Sequence, residues 1–149
     1  MTVAGVGTTP QGGKVVMLVD ADQKIVLPIF VGGTEALSIE LRLDHRRYQR
    51  PLTHDLLDSV MRELRGELEK VHVNELRDNV YIGAVFVRDG RRVAEIDARP
   101  SDAIALALGA DAPIFVARAV IEKAGVRREE FDPSRKGPPK LPGVDPMNL

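Results

Sequence analysis

Two short segments place an arginine and a proline just ahead of an apolar, helix-like run: Arg50–Asp55 (RPLTHD) and Asp97–Asp102 (DARPSD). Proline holds φ near about −65° and is favoured in the first turn of a helix, so each pair marks the point where a corner becomes a helix. Helix N-termini present free backbone N–H groups, which attract anions such as phosphate. These two corners therefore constrain the fold and also contain most of the candidate functional residues.

The hydropathy pattern around the corners predicts a mixture of strands and helices. Strands are expected at 14–20, 24–31, 70–76, 80–88, 92–97 and 113–117, and helices at 34–43, 54–65, 100–108 and 118–124. Asp89-Gly90 is a strong hairpin turn, and Thr53 is expected to cap the helix that starts at residue 54. Together these elements predict an α+β domain, with helices packed on a mixed β-sheet.

The length of 149 residues and the hydrophobic content of 44% suit a single domain. The composition changes near residue 125, because five of the ten prolines fall between Pro133 and Pro146. Segment 126–149 also has few apolar residues and no periodicity. We therefore expect a folded domain over 1–125 and a Pro-rich, mobile tail over 126–149.

Composition also excludes several kinds of function. The absence of cysteine excludes disulfides, thiolate nucleophiles and zinc–thiolate sites. No apolar run approaches the roughly 20 residues that span a bilayer, and the N-terminus lacks a signal-peptide pattern, so we expect a cytoplasmic protein without a membrane partner. The net charge of −1 argues against a dedicated nucleic-acid-binding module but not against an enzyme with a local basic cleft.

His54 and Asp55 stand at the start of the second predicted helix. A neutral imidazole near pH 7 suits proton abstraction, so His54 is a candidate general base, with Asp55 orienting it or binding a metal. The alternative is structural. In that case Asp55 interacts with the helix dipole, at about 0.3–1 kcal/mol, and His54 is an exposed first-turn residue.

Asp97 and Asp102 form the second acidic pair, and Glu35 at the start of the first helix is a possible third carboxylate. Hard cations prefer carboxylate oxygens, so these residues are candidate ligands for Mg²⁺ or Mn²⁺. No organic cofactor is expected. The alternative is that Asp102 caps backbone N–H groups while Asp97 pairs with Arg99 to fix the corner.

Arg50 and Arg99 are candidate phosphate clamps, because the planar guanidinium matches phosphate oxygens, and the Ser101 hydroxyl is a further phosphate ligand. The stretch around Arg46 and Arg47 is the densest basic region of the predicted domain. It contributes to a site if it lines the same cleft as the acids, and otherwise it is a solvated loop.

The segments Arg50–Leu57 (RPLTHDLL) and Asp97–Ala107 (DARPSDAIALA) resemble the two signature segments of the bifunctional nuclease family, named for combined DNase and RNase activity. The stretches 27–29 (LPI) and 112–114 (API) fit as well. The resemblance implies a nuclease whose substrate is DNA or RNA. Together with the apolar helices, it also implies a homodimer.

Two functional hypotheses follow. In the first, Asp97 and Asp102 hold a divalent metal, with Asp55 or Glu35 as an optional third ligand. His54 or a metal-bound water supplies the nucleophile, and the two arginines offset phosphate charge. In the second, the domain binds an anion or a partner without catalysis. The first requires His54, Asp97 and Asp102 to lie within about 10 Å of one another.

Overall fold

Eight strands and four helices make up residues 1–131, the part of the chain that this computed structural model describes. The strands are β1 (Thr2–Thr8), β2 (Lys14–Val19), β3 (Ile25–Val31), β4 (Gly66–Arg77), β5 (Val80–Asp89), β6 (Arg92–Ala98), β7 (Ile114–Val116) and β8 (Val126–Arg127). The helices are α1 (Gly33–Leu43), α2 (Thr53–Glu63), α3 (Pro100–Ala110) and α4 (Arg118–Ala124). Within this described part, no helix is long and apolar enough to cross a membrane.

The strands divide into two sheets of four, with the orders β1-β2-β3-β8 and β6-β5-β4-β7. The first sheet is antiparallel throughout. Its β2–β3 hairpin lacks an Asn-Gly or Asp-Gly turn, and instead Asp20 Oδ1 accepts the backbone N–H groups of Lys24 and Ile25 at 2.7 and 3.0 Å. A side-chain acceptor therefore holds this turn.

The second sheet is mixed, because β7 pairs in parallel with β4 while β4, β5 and β6 form an antiparallel meander. Gly90 has a φ of 58°, which confirms the hairpin turn predicted at Asp89-Gly90. One extra segment, β8, lies in the stretch assigned to the tail and pairs with β3. Residues 132–149 of the predicted tail lie outside the described residues.

One hydrophobic core joins the two sheets. Its fully buried side chains include Val16, Leu18 and Leu27 of β2 and β3, Val71 and Val73 of β4, and Ile39, Ile104 and Val120 of helices α1, α3 and α4. Helix α3 packs against α1 and α2 and against strands of both sheets. The predicted single α+β domain is therefore confirmed, and the central position of α3 fixes where its first turn lies.

Helix α2 begins differently from the prediction. Leu52, in an extended conformation, is the N-cap residue, and Thr53 is already helical and caps nothing with its side chain. The Asp55 carboxylate instead accepts the Leu52 N–H at 2.9 Å. The Thr53 cap was therefore wrong, because a carboxylate three residues into the helix reaches back to the free backbone donor.

Candidate functional site

The first turns of three helices meet around a cavity of about 410 Å³. Its walls are Thr34, Glu35, Leu37 and Ser38 from α1, residues 51–54 from the entry to α2, and Arg99 and Asp102 from the entry to α3. The two Arg-Pro corners, far apart in sequence, therefore converge on one space that is open to solvent.

His54 is buried, and both of its ring nitrogens are hydrogen-bonded. Nδ1 lies 2.8 Å from Ser38 Oγ, and Nε2 lies 2.9 Å from Asp102 Oδ1. An ionised carboxylate can only accept a hydrogen bond, so Nε2 carries a proton. In the neutral ring, Nδ1 then accepts the Ser38 hydroxyl proton. A Ser–His–Asp chain thus runs from α1 through α2 to α3.

Arg99 joins the two carboxylates of the cavity. Its Nε and Nη2 donate to Asp102 at 2.8 and 3.1 Å, and Nη2 also donates to Glu35 Oε1 at 2.8 Å. The Arg99 side chain is 65% exposed, against 29% for Asp102 and 16% for Glu35. The guanidinium therefore covers both acids while keeping much of its surface toward solvent.

These contacts lower the pKa of both acids. For Glu35, its own backbone N–H acts most strongly, followed by Arg99 and by the Thr34 hydroxyl, which donates at 3.0 Å. For Asp102, burial raises the pKa, but hydrogen bonds from Arg99 and His54 outweigh it. Asp102 and then Glu35 raise the pKa of Arg99 in turn. Both acids are therefore held as anions around a permanent cation.

Asp55 faces a different neighbour. Arg42 Nη2 donates to Asp55 at 3.0 Å and to Asp58 at 2.7 Å, while its Nη1 donates to the Ala105 carbonyl at 2.9 Å. Asp55 lines a second cavity, of about 230 Å³, rather than the one beside His54. Through Arg42, Asp55 is part of a contact that links α1, α2 and α3.

Three further predicted residues do not line the cavity. Asp97 is exposed on β6 and makes no ion pair within residues 1–131. Ser101 is buried in the first turn of α3, and Arg50 is exposed just ahead of Pro51. The residues that the structure does bring together are Glu35, His54, Arg99 and Asp102.

Ser38 was missed by the sequence reasoning, although it contacts His54. A signal existed for Ser38, because it is a polar residue among the buried positions Ala36, Ile39 and Leu41 of α1. A hydroxyl on an otherwise buried helix face needs a partner, and here the partner is His54.

The donor set does not form a ready-made divalent-metal site. Across residues 1–131, no group of three or more His, Asp and Glu side chains is close enough to hold an ion. Arg99 already bridges Glu35 and Asp102, and Asp97 lies elsewhere. A cation at this cavity would therefore have to displace the guanidinium from both carboxylates.

The fold and the cavity together describe a single α+β domain with a Ser–His–Asp hydrogen-bond chain and an exposed guanidinium where three helices begin. The bifunctional nuclease domain matches residues 16–129, from β2 to just beyond β8, and the chain belongs to that family. The family suspected from the two signature segments is thereby confirmed.

Two relatives from Mycobacterium tuberculosis are similar to this chain. They are the uncharacterized protein MT1877 of strain CDC 1551 / Oshkosh and the uncharacterized protein Rv1829 of strain ATCC 25618 / H37Rv. Each is 36% identical over 118 residues, which is 78% of this chain and 70% of the relative.

Proposed function

We propose that this domain hydrolyses phosphodiester bonds of DNA or RNA in the cavity beside His54. The observation that carries the proposal is the Ser38–His54–Asp102 chain, which meets the exposed Arg99 guanidinium in one cavity. A proton acceptor and an anion-binding group side by side are what hydrolysis of a phosphate ester requires. Membership of the bifunctional nuclease family supports the same reaction class.

The proton path follows from the hydrogen bonds. Ser38 is only 5% exposed yet lines the cavity, so its hydroxyl has room for a water rather than for a bulky phosphate. As a cavity water attacks phosphorus, its proton passes to Ser38 Oγ and the Ser38 proton passes to His54 Nδ1. The P–O bond to the leaving alkoxide breaks on the opposite face of the phosphorus, and solvent in the open cavity protonates that oxygen. The proton on His54 then returns to solvent through Ser38.

Asp102 and Arg99 support this transfer in different ways. The Asp102 carboxylate stabilises the imidazolium that forms on His54, because it already accepts the Nε2 proton. The N–H groups of Arg99 that face solvent offset the charge that develops on the phosphate. No step in this sequence passes through a metal ion.

A specific observation favours a second candidate function, which is anion binding without catalysis. Arg99 already donates hydrogen bonds to both Asp102 and Glu35, and this ion-pair bridge by itself stabilises the corner. In this case the domain binds phosphate-containing ligands and does not turn them over.

The test is cleavage of labelled single-stranded DNA and RNA by full-length protein. We expect Asp102→Asn to reduce the rate at least about 100-fold, since the imidazolium loses its partner, while the matched Asp97→Asn protein stays near wild type. Both proteins must show the wild-type circular dichroism spectrum. Equal rates in the two variants would contradict the proposed site, and an inactive wild type would favour the binding function.

The sequence-based prediction of Mg²⁺ or Mn²⁺ is tested in the same assay. Loss of cleavage in EDTA with recovery on adding either ion would confirm it, and undiminished cleavage in EDTA would contradict it. In the first case Asp102 and Glu35 remain the proposed ligands, whereas Asp97, which does not line the cavity, serves as the control.

The homodimer is also part of the proposal. Leu56 and Val60 of α2, and Leu64 directly after its last residue, are exposed and spaced four residues apart, so they lie on one face. Contiguous apolar surface of this kind is typical of a protein–protein contact. A second copy of the chain would cover it.

A further inference from the structure

A second cavity lies directly beside the first, on the other side of the entry to α2. Ser38 and Leu52 line both cavities. The second one, of about 230 Å³, is also lined by Arg42, Asp55 and Asp58 and by three consecutive basic-type residues of the α1–α2 loop, His45, Arg46 and Arg47. The mechanism above uses none of these loop residues.

One buried arginine offsets part of the negative charge of the two acids in this cavity. The Arg42 side chain is only 9% exposed and donates to both Asp55 and Asp58, at 3.0 and 2.7 Å. Arg42 therefore holds the two carboxylates against the helices and reduces their repulsion of an incoming anion.

Arg46 and Arg47 are the available cations. Arg46 pairs with Asp44 at 3.2 Å, but both side chains are mostly exposed and Asp44 does not line the cavity. Exposed pairs of this kind exchange readily for a better acceptor. No ion pair joins Arg47 to another of residues 1–131. The backbone of His45 has a φ of 53° and turns the chain just after the end of α1, directly before Arg46 and Arg47.

We propose that this second cavity, with Arg46 and Arg47, binds a backbone phosphate of the substrate next to the phosphodiester that lies beside His54. The inference rests on the proposed function, because it takes the ligand of the first cavity to be a polynucleotide. It narrows the substrate to a chain with a flanking phosphate, since a mononucleotide would fill only one of the two adjoining cavities.

The test measures binding separately from cleavage. Fluorescence anisotropy of a labelled single-stranded DNA of about 20 nucleotides, with phosphorothioate linkages that resist hydrolysis, is recorded over a series of salt concentrations. The full-length Arg46→Ala/Arg47→Ala protein is compared with a matched Arg91→Ala/Arg92→Ala protein, which removes the same charge at the exposed β5–β6 turn. An Arg46→Lys/Arg47→Lys protein keeps the charge and checks that the loop still folds.

We expect the first pair to raise Kd about tenfold or more and to reduce the steepness of log K against log salt by about 0.7 to 1, as for the loss of one phosphate contact. The control pair should change Kd less than about twofold, and the lysine pair should fall between. The inference would be overturned if both alanine pairs lost affinity equally or if neither lost affinity. A wild-type protein that does not bind the DNA at low salt would also overturn it.

This result separates the inference from the proposed function. Binding that depends on Arg46 and Arg47 without any cleavage contradicts the nuclease proposal and keeps the phosphate site. Cleavage together with binding that ignores Arg46 and Arg47 keeps the nuclease proposal and overturns the phosphate site.

Discussion

At the scale of single residues, the site depends on which side-chain atoms form hydrogen bonds and ion pairs with one another. Asp102 serves two donors, His54 on one oxygen and Arg99 on both. Sequence reasoning identified His54, Asp102, Arg99 and Glu35 from their types and their places at helix starts. It did not separate Asp102 from Asp97, because only the turn from β6 into α3 decides which of the two acids faces the cavity.

Acid should destabilise the fold through the Arg99 bridge. The pKa values of Glu35 and Asp102 lie below their ordinary values of 4.5 and 3.8. Their contribution to stability is therefore fully present above those values and is lost as the pH falls through the lowered ones. We expect the Tm to fall as the pH drops below about 4.5, and to fall less steeply for Arg99→Ala, in which a major cause of the lowering is absent.

The comparison with an Arg91→Ala protein controls for the loss of one exposed positive charge. Thermal unfolding followed by circular dichroism gives Tm at each pH. Identical pH profiles for wild type and Arg99→Ala would show that the bridge has no energetic role in the folded protein.

At the scale of elements, helices α1, α2 and α3 are held together by a buried cation. Arg42 reaches across from α1 to α2 and to the Ala105 carbonyl of α3. The Arg42 side chain passes close to Gly109, where an added Cβ would lie 1.9 Å from Arg42 Nη1. The sequence indicated neither contact, because each depends on side chains that only packing brings together.

A methyl group at Gly109 should therefore disrupt this junction. We expect Gly109→Ala to lower the free energy of unfolding by about 1–3 kcal/mol, because overpacking displaces Arg42 from its acceptors. Gly33→Ala is the matched control, since an added Cβ there meets nothing within 4 Å. It should leave stability unchanged or raise it slightly, by up to about 1 kcal/mol.

Urea unfolding of both proteins supplies the two free energies. Equal stability of the Gly109→Ala and Gly33→Ala proteins would mean that Arg42 moves aside without cost, and that its network does not hold the helices.

At the scale of the whole molecule, periodicity was enough to predict the class and the order of most elements. It missed β1, whose two glycines interrupt the apolar pattern, and it started β4 at residue 70 rather than 66. It also gave no sign of two sheets, because strand pairing depends on long-range contacts. The convergence of His54 on Asp102, 48 positions apart, follows from the burial of α3 between the sheets.

The exposed face of α2 leads to a prediction about assembly. We expect the protein to have twice its chain mass of 16.3 kDa in light scattering, and Leu64→Glu to convert it to the monomer. Leu64 is 73% exposed and Val80, on β5, is 60% exposed, so Val80→Glu is the matched control and should remain dimeric. A monomeric wild type, or a dimer that tolerates Leu64→Glu, would contradict this assembly.

The central claim is that the reacting phosphate lies in the cavity where the two Arg-Pro corners meet. The most direct measurement is a crystal structure of the protein with a short phosphorothioate oligonucleotide, which resists hydrolysis. We predict a phosphorus atom between the Arg99 guanidinium and Ser38, with its non-bridging oxygens in contact with Arg99. An oligonucleotide bound instead against Asp97 on the exposed face of β6, with the Arg99 bridge untouched, would contradict the account.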